Sequence, residues 1–462
     1  MRKPTYLATT LLCLALSGAG SVAQETQSAD KYVTREEYEK VLKELEAIKA
    51  HQSSEENSAL KARIEQLEKK QATQQSDADQ SFDEMDKKIK DVKLATKPGI
   101  PGTDHMLLTG YGSGTFQASR GGYGPSQGIL DTPAPGDPRP GRSAFTADFN
   151  PIFLWQVSDK ILFESEFAVT LASGGATGLE LEYAQASYVA NDYMTFGLGK
   201  FLNPVNYFVD RLHPAWINLM PNRPLAVFDG LLPEGIVGAQ LHGGAPVGPT
   251  KFQYSVFVGN APSLDMQPVG DSHAGLLNFG DQQFAYSHIS VGGHVGFFPI
   301  PELEIGYGIQ RADVGHEGSG VGALWQSVDV NYMRDCYWLR GVVDLRGQWV
   351  WSNVDPYTID PNTGLTHLPA GLSNNRNGGY VQLAYRPTKT ENKILKNIEL
   401  VARFDMLNQR KTPIGFDEQR WSFGLDYWLG ASTVAKFAYE LDRQNGTGQN
   451  GDDFLFQYVI GF

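Results

Sequence analysis

The chain has 462 residues, is 41% hydrophobic and 20% charged, contains 50 glycines, and carries a formal net charge of −13. It has two cysteines, one inside the leader described below, which excludes a disulfide framework in the exported chain. No apolar run has the length of a membrane helix, so any crossing of a bilayer must be made with strands.

Arg2 and Lys3 precede an apolar run over 7–16, and Ser21-Val22-Ala23 offers small residues for cleavage. This pattern predicts a signal peptide over 1–23 with Gln24 as the mature start. Cys13 lies within the apolar run, which argues against a lipoprotein. Residues 24–97 predict a periplasmic coiled-coil segment. Thr34 and Glu37 have capping-box spacing. Tyr38, Val41, Leu45 and Ile48 follow at intervals of three and four, as do Leu60, Ile64 and Leu67, then Phe82, Met85, Ile89 and Val92. A single solvated helix would leave this seam in water, whereas association buries it. Acids and bases nearly cancel here, so the segment is not a basic arm for nucleic acid. Residues 98–104, opening with Pro98-Gly99-Ile100-Pro101-Gly102, form a linker.

From 105 to 462 the period changes to two. Gly110, Gly112 and Gly114 sit within a strand with no following helix, which excludes a dinucleotide loop. Alternation predicts strands at 107–118, 144–157, 161–171, 180–189, 193–201, 236–242, 251–259, 285–298, 302–311, 321–333, 337–351, 379–386, 398–407, 421–429, 434–442 and 454–462. Short turns such as 158–160, 190–192 and 299–301 alternate with longer loops. An even number of strands, about sixteen, with this alternation predicts an all-β transmembrane barrel of antiparallel strands, preceded by an α-helical coiled coil. A soluble propeller would show a blade-length repeat, and none is present.

Strand parity turns Glu164, Glu166, Glu304, Asp329, Arg340, Asp344, Arg346, Glu399, Arg403, Asp405, Asp426, Lys436 and Glu440 inward as pore-lining residues. A dry core would reject so many charges, and a water-filled channel accepts them. The long segment over 202–233 follows the fifth strand, in the place where general porins fold a loop into the barrel. It is expected to build a constriction with Lys200 at its start and Asp210, Arg211, Arg223 and Asp229 within it. Opposed charges there would set up a transverse field. The other reading makes the arginines structural pairs that tie the segment to the wall, and both stay open.

The last strand places Phe454, Phe456, Tyr458, Ile460 and Phe462 on one face. It resembles the closing strand of bacterial outer-membrane barrels, which implies that Phe462 is part of an assembly signal read by the barrel assembly machinery. Gly199-Lys200-Phe201-Leu202-Asn203-Pro204 is similar to the G-[RK]-F-x-x-P stretch of the phosphate-selective porins O and P. Residues 379–385 and 398–404 also look like later strands of that group. The resemblance spans most of 105–462 and implies an outer-membrane porin in outer-membrane lipid, assembled as a homotrimer. Phosphate selectivity needs a dense track of Lys and Arg, yet residues 98–462 hold 23 Lys and Arg against 35 Asp and Glu.

Other motifs give little. Residues 355–364 have the composition of a calcium loop but neither the spacing nor the terminal Glu. His288 and His294 share a parity without a third ligand, which points to pore lining and to no metal. There is no G-x-S-x-G, H-E-x-x-H or C-x-x-C motif, so neither an enzyme nor a cofactor is expected, although a hydrolytic site assembled at the wall is a further class. The function expected is passive diffusion of small hydrophilic solutes or ions through the outer membrane. The alternative is an envelope tether whose coiled coil contacts peptidoglycan or a periplasmic partner.

Overall fold

The structure is a computed structural model. It describes residues 105–121, 142–171, 177–228, 231–264, 277–279, 288–315, 320–355, 375–408, 417–445 and 450–462, together with six residues of the N-terminal segment. The chain divides into two units, Met1–Lys97 and Pro98–Phe462. In the first, Glu36, Glu39, Lys40, Leu42, Lys43 and Glu44 are helical and exposed. The signal peptide, the linker and most of the heptad seam lie outside the described residues.

In the second unit the strands are β1 (Met106–Gly121), β2 (Arg142–Ser158), β3 (Ile161–Leu171), β4 (Thr177–Asn191), β5 (Met194–Leu202) and β6 (Gly235–Val247). There follow β7 (Thr250–Asn260), β8 (Ser263–Leu264), β9 (Leu277–Asn278), β10 (Ile289–Ile300), β11 (Leu303–Asp313) and β12 (Gly322–Cys336). The last are β13 (Gly341–Val354), β14 (Asn375–Arg386), β15 (Ile398–Asn408), β16 (Asp417–Trp428), β17 (Thr433–Asn445) and β18 (Asn450–Gly461). Two short helices, α1 (Tyr207–Leu212) and α2 (Leu225–Phe228), lie between β5 and β6.

Sixteen of these strands close into one antiparallel barrel, as the alternation predicts. Each pairs with its neighbour in sequence, except that β7 pairs with β10 past the small β8–β9 ribbon, and β1 closes the circle on β18. Closure removes the open edges that an antiparallel sheet would otherwise present. It also satisfies every strand within the sheet, which is what a bilayer demands of a spanning β-structure.

The two faces separate cleanly. Among the described residues, outward positions carry large exposed apolar side chains, including Phe145, Leu179, Leu198, Val256, Val291, Tyr307, Leu383, Leu400, Phe423 and Ile460. A continuous apolar surface of this kind requires lipid around it. Inward positions carry Ser, Gln, Asp, Glu, Arg and His. The closed barrel, its lipid-facing girdle and its charged interior define an outer-membrane type of transmembrane β-barrel.

Glycine is required at one motif position. Gly199 has φ of +135°, and a Cβ there would lie 2.2 Å from the Ala184 carbonyl oxygen on β4. Any side chain would force the two strands apart.

Arg340 does not line the interior. It occupies the exposed turn between β12 and β13 with φ of +55°. The strand expected over 337–351 starts too early, because β13 begins at Gly341. Parity has no meaning across a turn.

Candidate functional site

Between β5 and β6 the chain leaves the wall and enters the barrel. Asn203 ties both ends of this segment at the point of entry. Its amide donates to the Pro233 carbonyl at 3.0 Å and to Gln310 Oε1 on β11 at 2.9 Å, and its backbone N–H donates to the Glu234 carbonyl at 2.8 Å. Asn206 then caps α1 by accepting from the Val209 N–H. Five prolines (204, 214, 221, 224 and 233) fix φ along the segment, so little of it can extend or refold freely.

Three stretches of wall hold it. On β11 to β13, Tyr207 Oη donates to Glu304 at 3.2 Å, Ser327 Oγ donates to the Val205 carbonyl at 2.7 Å, and Gln348 accepts from the Phe208 N–H at 3.2 Å. On β1 and β3, Trp216 packs edge-on against Tyr111 with ring centroids 4.9 Å apart, and His213 Nε2 lies 3.4 Å from Glu166. The third stretch, β15 to β17, lies across the circle from β5 and β6 in the barrel order. There Arg403 donates to the Asn222 carbonyl at 2.9 Å and to the Arg223 carbonyl at 3.3 Å. Asn222 Nδ2 donates to Glu440 at 2.7 Å, the Leu225 N–H donates to Asp405 at 3.2 Å, and Lys436 donates to the carbonyls of Ala215 and Asn218. The segment therefore crosses the lumen and is pinned on the far wall.

Those anchors form a charged network. Arg403 pairs with Asp405 at 2.9 Å, and Arg420 with Asp442 at 2.9 Å and Glu440 at 3.5 Å. Arg346 pairs with Asp344 and also donates to the Ile217 carbonyl at 2.9 Å. Glu399 accepts from Trp428 Nε1 at 2.7 Å, and His294 bonds Asp329 at 2.8 Å. Asp426 sits in register with Lys436. These side chains are almost fully buried. Water does not solvate them as the sequence led us to expect. The crossing segment covers them, and paired opposite charges replace the solvent. Apolar packing completes the seal, with Leu219 and Met220 against Val401, Ala438 and Leu455, and with Leu231 and Leu232 in a cluster around Trp325.

The other side of the segment is wetter. Arg211 pairs with Asp210 at 2.7 Å and Arg223 with Glu234 at 3.1 Å, and all four remain a quarter to two-fifths exposed. Partial burial disfavours both guanidinium charges, but Asp210 for Arg211 and Glu234 for Arg223 outweigh it and hold both above the ordinary arginine value. On the nearby wall Gln185 donates to Glu164 and accepts from Gln240 at 2.7 Å, a polar ladder over β3, β4 and β6.

Of the residues expected at a constriction, Asp210, Arg211 and Arg223 are on the crossing segment, and Asp229 lies outside the described residues. Lys200 is not at the constriction. It shares a strand face with the exposed Phe196 and Leu198, and its ammonium donates to the Leu181 carbonyl. Simple alternation already sets it opposite in parity to Phe201, which is buried inside.

Sequence reasoning passed over Arg420, Asp442, Asp453 and Glu234. Asp442 shares parity with Glu440 and was within reach of the same rule. Arg420 precedes the strand start expected at 421, and Asp453 the one expected at 454. Glu234 has no periodic signal at all.

No family model and no curated protein sequence matches the chain. Among solved structures it is similar to an anion-selective porin from Comamonas acidovorans, at 10% identity and a TM-score of 0.46, covering 77% of this chain and 99% of that one. It is also similar to OmpF of Salmonella typhi in complex with daunomycin, at 10% identity and 0.46, covering 77% and 97%. A third is the outer-membrane channel DcaP of Acinetobacter baumannii, at 12% identity and 0.44, covering 77% and 97%.

Proposed function

We propose that the protein is an outer-membrane porin, a passive diffusion channel for small hydrophilic solutes and ions with a preference for cations. The observation that carries this reading is the crossing segment, which narrows the interior and keeps one polar, partly hydrated side beside Arg211, Arg223 and Glu234. An anchor has no need of such a segment, whereas a sieve does. The acidic interior favours this over the phosphate channel that the strand motifs imply. Purified protein in planar bilayers is expected to give discrete, stable conductance steps. A barrel that inserts without any steps would leave the tether reading in its place.

The assembly proposed is a homotrimer whose N-terminal segments associate as parallel helices over 34–95. The support is the heptad seam, since an apolar stripe on a short helix is stable only against a partner. The isolated segment should be strongly helical by circular dichroism, with helicity rising with concentration. Random coil at all concentrations, with an unchanged oligomeric state after its deletion, would refute the idea.

A further inference from the structure

Behind the crossing segment lies a carboxylate cluster that the channel reading does not use. Glu440 and Asp442 on β17 and Asp453 on β18 turn to one interior spot, with one oxygen of each within 4.8 Å of the others. All three are at most 1% exposed. Asp442 Oδ1 is taken by Arg420, and Glu440 is shared between Asn222, Ser422 and Arg420. Asp442 Oδ2 has no hydrogen-bond partner, and no hydrogen bond of good geometry reaches either oxygen of Asp453, although Ser119 and Gln117 lie beside it. A buried carboxylate left in this condition is costly, so its oxygens are set for something else.

Charge points the same way. Among the described residues, Asp405, Glu440, Asp442 and Asp453 face Arg403 and Arg420 here, an excess of negative charge. A bound cation would offset that excess.

We propose that Glu440, Asp442 and Asp453 bind a calcium ion. The donors are all oxygen, which selects a hard cation. Calcium, with bonds of about 2.3–2.6 Å, bridges oxygens at this spacing and tolerates irregular geometry. Magnesium demands near-octahedral geometry with bonds of about 2.0–2.1 Å, and fits irregularly placed oxygens spread over up to 4.8 Å less well. Ser119 on β1, beside Asp453, offers a further oxygen. Because Glu440 also accepts from Asn222, the ion would brace the wall on which the crossing segment is pinned. The site does not depend on what passes through the barrel.

The test uses the full chain refolded in detergent, free of lipopolysaccharide and stripped with a chelator. Calcium titration by calorimetry should show a single saturable site per chain. Calcium should raise the unfolding temperature, and magnesium at equal concentration should raise it much less. Asp453→Asn, which keeps the shape of the side chain, should lose both responses. Asp452→Asn should keep them, since Asp452 pairs with Arg443 and is partly exposed. Heat-modifiable gel mobility verifies that each variant is folded, and Asp442→Asn replaces Asp453→Asn if the latter is not. Absence of saturable calcium uptake by the wild-type chain overturns the proposal and leaves protons to neutralise the cluster. Uptake retained in a folded Asp453→Asn, or an equal response to magnesium, overturns it as well.

Discussion

Arg420→Met is expected to destabilise the barrel by about 3–5 kcal/mol, the usual cost of removing one partner from a buried ion pair. The guanidinium is fully buried, lies 2.9 Å from Asp442 and 3.5 Å from Glu440, and reaches the Arg223 carbonyl at 3.5 Å. Methionine replaces its volume but leaves Asp442 and Glu440 without the charge that pairs with them. The backbone of the crossing segment also loses one of its holds on the far wall. Unfolding in denaturant should therefore shift to lower concentration, and single channels should become larger and noisier. Adding Asp442→Asn to Arg420→Met should recover part of the stability, because it removes one uncompensated charge. Unchanged stability and unchanged conductance in Arg420→Met would mean that the segment is held by its prolines and apolar contacts alone.

The channel is expected to pass potassium several-fold more readily than chloride at low salt, with no block by phosphate. Among the described residues, buried carboxylates outnumber buried cationic side chains eleven to four, and an acidic excess remains with Glu440, Asp442 and Asp453 neutralised by a bound cation. The two arginines on the hydrated side of the segment do not reverse this, because each has an acid within 3.1 Å. Field focusing is strongest at the narrowest point, and there these pairs nearly cancel, so the wall decides. Preference should fade as salt rises, since the screening length shrinks from about 10 Å at 0.1 M to about 3 Å at 1 M. Arg211→Ala with Arg223→Ala should raise the preference for potassium further. Reversal potentials under a potassium chloride gradient measure all of this. A strongly anion-selective wild type that loses its selectivity in the double variant would show that the arginines, not the wall, set the field.

The barrel was legible because lipid and lumen impose a period of two along every strand. Sixteen runs of alternation correspond to sixteen barrel strands, and Phe454, Tyr458 and Ile460 mark the outer face of the last. Boundaries were less legible: β13 starts at Gly341 and β16 at Asp417, which misplaced Arg340 and hid Arg420. The site was only half legible. Proline and mixed charge drew attention to the segment after β5, but its partners are set by folding across the barrel. Asn222 meets Glu440 at a separation of 218 residues, and no local pattern encodes such a pairing. For the same reason the interior charges read as solvated when they are in fact covered.

The seam between β1 and β18, running from Tyr111 opposite Gly461 to Gly121 opposite Gly451, has a consequence for the timing of assembly. The first strand to be synthesised must wait for the last before both of its sides are paired. Until then it presents a row of free backbone donors and acceptors on which another chain can template. Residues 215–225 face a similar delay, because the β15 to β17 side chains that grip them are translated much later. Contacts of such long sequence separation form slowly. Both the open edge and the unanchored loop thus persist until the final strand docks.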